Sequence, residues 1–369
     1  MKVLALSSYP VEAACTRYRV IQFIKPLSEL GISLSLQPFI DSKLQASLYN
    51  PAEWPHTAFG LMRAALRRGG TIRQAQQADV LFIQREAMIF GPPVIEWLAA
   101  KVLKRPMVLD LDDATYVSYT SPTYGKLGKA LKWAGKTDDL IKWATLVTCG
   151  NRAIADHVER KGGVARIIPT VVDTELFRPV PRTPQSKPVL GWIGTHSSFP
   201  YLKTIFPVLQ DLAQTHSFKV KIVGAGVKEV RIPGVEVETL EWKLESELEH
   251  FQSLDIGLYP IDSGMYAENW ASGKSGFKAI QYMALGIPYV ASPVGAIKDI
   301  GEPGITHFNA TTKEEWHEAL QRLLSDSTLQ KQMGAAGRHH SVEHYSLSQQ
   351  AKKLADALRE AARARVETN

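Results

Sequence analysis

The sequence predicts an α/β protein built from two successive doubly wound halves, on three observations. Short apolar runs of strand length alternate with helical periodicity from Lys2 to Pro169. A stretch with four prolines and no apolar periodicity, residues 179–188 (PVPRTPQSKP), then interrupts the alternation. A second α/β alternation of near-equal length begins at Val189. Two such halves joined by a linker favour a ligand cleft between domains.

The first half opens with a buried strand over residues 2–7, a loop through Tyr9–Thr16, helical periodicity from Arg17 to Leu30 stopped by Gly31, and a second strand at Ile32–Pro38. In this order the first β–α loop faces the ligand crevice, which brings Arg17 and Arg19 to where an anionic or sugar ligand is touched. Ordinary first-turn arginines are the competing reading. Further strands follow at 78–84, 106–110, 146–150 and 166–169, with an amphipathic helix at Val94–Leu103 and another opening at Asn151. The fourth strand runs into Asp110–Leu111–Asp112–Asp113, carboxylates at the strand end where open α/β sheets bind ligands. Such carboxylates suit an acceptor hydroxyl, an N-cap or, by their D-L-D spacing, a metal. No histidine accompanies them, and no bound metal is expected.

In the second half, strands are expected at 189–193, 219–223, 235–242 and 256–259, and helices at 201–214 and 244–253. The loop Gly194–Thr195–His196–Ser197–Ser198 and the Gly224–Ala225–Gly226 turn each follow a strand end. The stretch from Glu268 to Gly295 reads as a polar loop, a helix over Phe277–Leu285 capped by Ser275, a stop at Gly286 with Pro288 beyond, and a buried strand at 289–291. Lys274 and Lys278 are four apart, and Gln281 shares the face of Lys278. A helix start carrying two lysines is suited to an anion; a solvated lysine pair is the plainer alternative. Ser346–Ala362 is a final long helix with no core left to complete in the second half.

Composition bounds the class. A chain of 369 residues with 45% hydrophobic and 22% charged residues is globular and long enough for two domains. Only Cys15 and Cys149 occur, so neither a disulfide scaffold nor a structural zinc site is expected, and a reducing, cytoplasmic setting fits. The net charge of +6 is uneven: residues 1–180 hold 23 of the 43 Lys and Arg against 16 of the 37 Asp and Glu. The basic residues cluster at Arg63, Arg67, Arg68 and Arg73, at Lys101, Lys104 and Arg105, and at Lys126, Lys129, Lys132 and Lys136. The last group has helical spacing, with Leu127, Leu131, Trp133 and Ile141 interspersed. This pattern permits peripheral contact of the N-terminal half with an anionic membrane surface on its inner face. No nucleic-acid motif is present, so nucleic acid is not expected as a partner.

Three places resemble the retaining GT-B glycosyltransferases of the glycosyl transferases group 1 type. They are GKSGFKAIQYMALGIPYVASPVG at 273–295, Val172–Pro179, and the paired architecture with Gly191–Gly194 opening the second half. Segments RYR at 17–19, QRE at 84–86 and DLDDA at 110–114 are similar to one divergent branch. The resemblance implies two Rossmann-like doubly wound domains facing a central cleft. An acceptor domain would span 1–178, a linker 179–188, and a donor domain 189–345, with a helix over 346–369 returning to the first domain. It implies transfer of a sugar, with retention, from a UDP- or GDP-type nucleotide sugar to a hydroxyl of a glycan or lipid-linked acceptor, in cell-surface polysaccharide or glycolipid synthesis. No further cofactor is implied.

Carried over residue by residue, the resemblance assigns Lys274 and Lys278 to the diphosphate, and Gln281 to the ribose. Gly194, Thr195, His196, Trp242 and Phe277 fall around the donor, and Asp112, Asp113, Arg17 and Arg19 near the sugar or acceptor. The departures are specific. Gly273 stands where the family has a glutamate against the donor sugar, leaving that contact to Glu268 or loop backbone. Gln281 replaces the ribose-binding glutamate, a role its amide can fill. The 194–200 loop lacks the family's Arg and Lys, so the two lysines at 274 and 278 are the substitutes, with His196 assisting or merely a loop residue. Trp242 is placed to stack on a nucleobase or to fill a core or rim. A catalytically silent nucleotide-sugar-binding subunit and a nucleotide-sugar epimerase are the alternatives.

Overall fold

A computed structural model describes residues 1–48, 50–117, 131–133, 135–181, 186–261 and 273–364. Lys126, Leu127, Lys129 and Glu268 fall outside these, as do residues 182–185 of the proline-rich stretch. The chain forms two compact units, one of residues 1–170 with 347–369, the other of residues 171–346. Each is built around a six-stranded, all-parallel sheet.

In the first unit the sheet order is β2-β1-β3-β4-β5-β6, with β1 Lys2–Ser7, β2 Ser33–Pro38, β3 Val80–Gln84, β4 Met107–Leu111, β5 Leu146–Cys149 and β6 Ala165–Ile167. Strands β3, β4 and β5 are buried along their whole length. Parallel strands covered by helices on both faces need apolar side chains on both faces, hence runs such as VLFIQ. The chain crosses from β2 over β1 to β3, so the switch point lies between β1 and β3, where open α/β sheets leave a crevice at the strand carboxyl ends. The helix Leu347–Ala364 belongs to this unit. It buries Leu347, Ala351, Leu354, Leu358 and Ala361 along one stripe, and Arg166 on β6 meets Glu360 at 2.6 Å.

The second sheet has the order β12-β11-β10-β7-β8-β9, with β7 Val189–Ile193, β8 Lys219–Val223, β9 Glu236–Leu240, β10 Ile256–Tyr259, β11 Tyr289–Ala291 and β12 Phe308–Asn309. Its switch point falls between β7 and β10. Tyr282, fully buried on the helix Phe277–Ala284, reaches the carbonyls of Gly191 on β7 (3.1 Å) and Leu258 on β10 (3.2 Å). That hydroxyl fixes the helix over the switch point. Gly257 must be glycine there, because a Cβ would stand 2.8 Å from the Tyr282 ring.

Several elements differ from the sequence expectation. The helix expected over 17–30 is broken into Ala14–Arg19, a 3-10 turn at Ile21–Phe23, and Ile24–Glu29. Pro26 has no N–H to continue an unbroken ladder. Pro207 similarly starts a new helix, Phe206–Leu212, after Phe199–Lys203. The helix after Val94 closes as a π turn over Leu98–Val102. Lys136, placed by its spacing in a basic surface group, is 4% exposed and pairs with Glu86 at 2.7 Å. A 24-residue helix, Trp54–Gln77, was not expected at all. Its buried face consists of Thr57, Ala64, Arg68, Thr71 and Ala75, too small and polar to register as an apolar stripe.

Candidate functional site

Two clusters lie at strand carboxyl ends, one in each unit, and each is built by its own elements.

In the first unit, parallel pairing sets Gln84 opposite Asp110. That register carries Arg85 beside the carboxylates that follow β4. Arg85 donates to both oxygens of Asp112, at 2.6 and 2.8 Å, and to Asp113 at 2.9 Å. Its backbone has φ of 64°, a left-handed conformation rare for a residue with a side chain. Strain of this kind costs about 1–3 kcal/mol and persists where the surroundings over-determine it. Here the bidentate ion pair does so. Burial works to raise the Asp112 carboxyl. Arg85, by charge and hydrogen bond, and Arg19 behind it outweigh that, and hold it below the usual carboxylate range. Asp112 is therefore a fixed anion and no reservoir for a proton.

Arg19 and Asp110 form a second, deeper pair. Arg19 is 2% exposed; its Nε donates to Asp110 at 3.0 Å and its Nη1 to the Ile168 carbonyl at 2.7 Å. Thr148 donates to Asp110 at 2.6 Å. Arg19 is thus spent inside the fold, where it ties the first helix to β4 and to the end of β6. Arg17 is half-buried, donates to the Glu12 carbonyl, and lies over the Tyr18 ring. Among the predicted residues of this unit, Asp113 is the most exposed of the carboxylates, at 37% of its side chain against 9% for Asp112. Both carboxylates of the D-L-D spacing, Asp110 and Asp112, face guanidinium groups. Among the described residues no group of three or more His, Cys, Asp or Glu is arranged to hold a metal ion.

In the second unit the predicted residues converge. The Phe277–Ala284 helix starts at Gly276, with φ of 65°, and its N-cap residue supplies no side-chain cap. This corrects the expected Ser275 cap. A Cβ on Gly276 would meet Ile300 at 2.3 Å, so close packing against the Gly295–Asp299 turn dictates glycine where serine was expected to serve. The Ala296 N–H donates to the Lys274 carbonyl at 3.3 Å and pins the lead-in. The predicted stop is present. Gly286 has φ of 67°, and the Ile287 N–H reaches back to the Tyr282 carbonyl at 2.9 Å in a Schellman pattern.

Around this helix start stand the other strand ends. A Cβ on Gly224 would lie 2.3 Å from the Gly194 carbonyl and 3.2 Å from the Trp242 side chain, and one on Gly226 would lie 2.6 Å from His196. Gly194, His196 and Trp242 are therefore neighbours of one glycine turn. Thr195 and His196 are exposed, with the Thr195 hydroxyl bonded to Ser197 at 2.8 Å. The Trp242 indole N–H donates to Glu247 at 3.3 Å. Glu247 is 9% exposed, and its carboxylate is near enough to Lys278 to act on its titration. Sequence reasoning missed Glu247, and no spacing rule announces it. Arg85 was noticed only as part of a segment, without a role.

Lys278 is the electrostatic centre. Burial pushes its pKa down to about 8, Glu247 pulls it back up, and the like charge of Lys274 lowers it further. Its ammonium lacks a full complement of counter-charge, which is the state an incoming anion relieves. Gln281, one turn on, is 2% exposed, and among the described residues its Nε2 has no hydrogen-bond partner. Buried amides without partners are uncommon and call for an explanation. The pH consequence is direct. An anion binds best to charged Lys278, so affinity for a nucleoside diphosphate should fall as pH rises through about 8. Binding there should take up protons, and Lys278→Arg should flatten the profile between pH 7 and 9. Calorimetry in buffers of different ionisation enthalpy reads this; pH-independent affinity across that window would remove Lys278 from the anion site.

Residues 187–326 match the family model described as glycosyl transferases group 1, a span within the unit that holds this second cluster. No curated protein matches the chain by sequence. Over almost its whole length the chain resembles solved structures of the GT-B architecture. HepE of Anabaena, solved with UDP-glucose, is 15% identical with a TM-score of 0.67, covering 97% of this chain and 99% of its own. A sucrose-phosphate synthase from Thermosynechococcus elongatus is 13% identical with a TM-score of 0.69, covering 99% and 100%. A glycosyltransferase from Rickettsia africae is 14% identical with a TM-score of 0.69, covering 98% of each chain. At these identities the likeness establishes the fold, and that fold is GT-B.

Proposed function

We propose that the protein is a glycosyltransferase that binds a nucleotide-sugar donor of the UDP or GDP type at the second unit and transfers the sugar to an acceptor hydroxyl. The observation that carries this reading is the lysine-bearing, glycine-initiated start of the Phe277–Ala284 helix, with the buried Gln281 Nε2, unpartnered among the described residues, one turn on, inside the segment that matches the group 1 family. Lys274 and Lys278 take the diphosphate, and Gln281 the ribose hydroxyls. Trp242, held by Glu247, offers a face to the base. His196, Thr195 and Gly194 border the phosphates, and Phe277 opens the helix beneath them. The pyrophosphate charge that grows as the glycosidic bond breaks is where two fixed cations contribute most. HepE has been solved with UDP and with UDP-glucose, in keeping with such a donor.

Transfer is proposed to proceed with retention. The C1–O bond to the diphosphate breaks, the acceptor oxygen bonds to C1 from the same face, and the acceptor proton passes to the departing phosphate oxygen. Asp112, held ionised by Arg85, together with Asp113 and Arg17, lies at the acceptor or sugar side, with Arg19 holding Asp110 behind them. The acceptor is a glycan or lipid-linked sugar of cell-surface polysaccharide or glycolipid synthesis, and the protein works in the cytoplasm, peripheral to the inner face of the membrane. The anomeric configuration of the product, read by proton NMR, tests the stereochemistry: a product of inverted configuration would end the retaining assignment.

Gly273 favours one second reading, a nucleotide-sugar-binding subunit without turnover, because it offers no carboxylate to the donor sugar.

A further inference from the structure

The helix Trp54–Gln77 has its polarity reversed. The face turned into the unit is Thr57, Ala64, Arg68, Thr71 and Ala75, whereas the opposite face carries Phe59, Met62 and Leu66 at 62%, 55% and 74% exposure. These three recur at helical spacing on one side, and Trp54, also 62% exposed, flanks them at the start. Burying such side chains is worth far more than leaving them in water, so a face of this kind marks an interaction surface. Its charge is one-sided. The helix contains four arginines and no Asp or Glu. Arg63 and Arg73 border the apolar stripe, while Arg67 and Arg68 turn back to the Phe39, Gln37 and Ser7 carbonyls. The neighbouring helix Val94–Trp97, with its extension Leu98–Val102, packs against this one and adds Trp97 and Val102, at 45% and 55% exposure, beside the exposed Lys101.

We infer that this face docks on an anionic lipid bilayer, with the helix lying flat in the headgroup layer. A protein partner would be expected to match Arg63 and Arg73 with carboxylates, and nucleic acid would leave the apolar stripe unused. A bilayer surface uses both features: Phe59, Met62 and Leu66 enter the acyl boundary, Trp54 sits at headgroup level, and Arg63 and Arg73 pair with lipid phosphates. Among the described residues no helix is long and apolar enough to cross a membrane, so attachment through this surface is interfacial. The inference does not depend on the donor site, and vesicle binding and nucleotide binding are read separately.

The test is co-sedimentation of the full chain with vesicles of phosphatidylcholine alone or with about a third phosphatidylglycerol. The expected result is binding to the anionic vesicles that weakens with added salt. Phe59→Ser/Met62→Ser/Leu66→Ser should lower the apparent affinity by at least about tenfold. Arg63→Gln/Arg73→Gln should lose the preference for phosphatidylglycerol. All five side chains lie outside the core, and thermal unfolding checks that both variants fold. Undiminished binding by the triple variant, or no binding of the unaltered chain to anionic vesicles, would overturn the proposal. So would a concentration-dependent dimer, abolished by the triple variant, in a chain that ignores vesicles, because the face would then belong to a second copy.

Discussion

Replacing Lys274 and Lys278 together by alanine is expected to lower affinity for UDP or GDP by at least about a hundredfold, corresponding to two charge-assisted contacts of about 1.5–3 kcal/mol each. The same change should cost little stability. Lys278 is charged in a place that disfavours charge, so removing it relieves a desolvation penalty. Loss of binding without loss of fold separates a functional lysine pair from a structural one. Isothermal titration with each nucleotide, alongside urea unfolding, reads both. Unchanged affinity in the double variant would overturn the phosphate assignment and leave the lysines as ordinary helix-start residues.

The largest stability effect is expected at Asp110. Asp110→Ala leaves the Arg19 guanidinium buried at 2% exposure without its carboxylate, and leaves the Thr148 hydroxyl only the Leu109 carbonyl at 3.4 Å. Breaking one side of a buried ion pair typically costs about 3–5 kcal/mol. Arg19→Met/Asp110→Leu, which removes both charges, should be less destabilised than Asp110→Ala alone. Urea denaturation of the parent and both variants measures this. A single variant within about 1 kcal/mol of the parent would show that the pair is not holding the first unit together, and would return Arg19 to the candidates for ligand contact.

The strands were legible because parallel sheets covered on both sides demand unbroken apolar runs, and sequences such as VLFIQ and VLGWI can do little else. The stop at Gly286 was legible for a similar reason, since a left-handed residue followed by proline leaves few options. Where prediction failed, the deciding contact lay far away in the chain. Ser275 looked like a cap until Ile300 forced glycine at the helix start. The helix Trp54–Gln77 escaped because its apolar residues face outward. Arg85 and Asp112 are 27 residues apart and meet only through the β3–β4 register. Glu247 joins Trp242 to Lys278 across a loop and a helix, a juxtaposition with no local signature.

The lysines and Gln281 of the proposed donor cluster were singled out in the sequence through the resemblance of residues 273–295 and the chemistry of a helix start. The groups that tune those residues were not. Burial and Glu247 set the Lys278 titration, and both are products of tertiary packing.

Turnover is the most direct test of a glycosyltransferase. The full chain, incubated with labelled UDP- and GDP-sugars and a lipid-linked acceptor extract, should release the nucleoside diphosphate from one donor class and label the acceptor, and Lys274→Ala/Lys278→Ala should do neither. Binding of a nucleotide sugar with no transfer and no hydrolysis of any donor would contradict the account, and would leave Gly273 as the mark of a silent subunit.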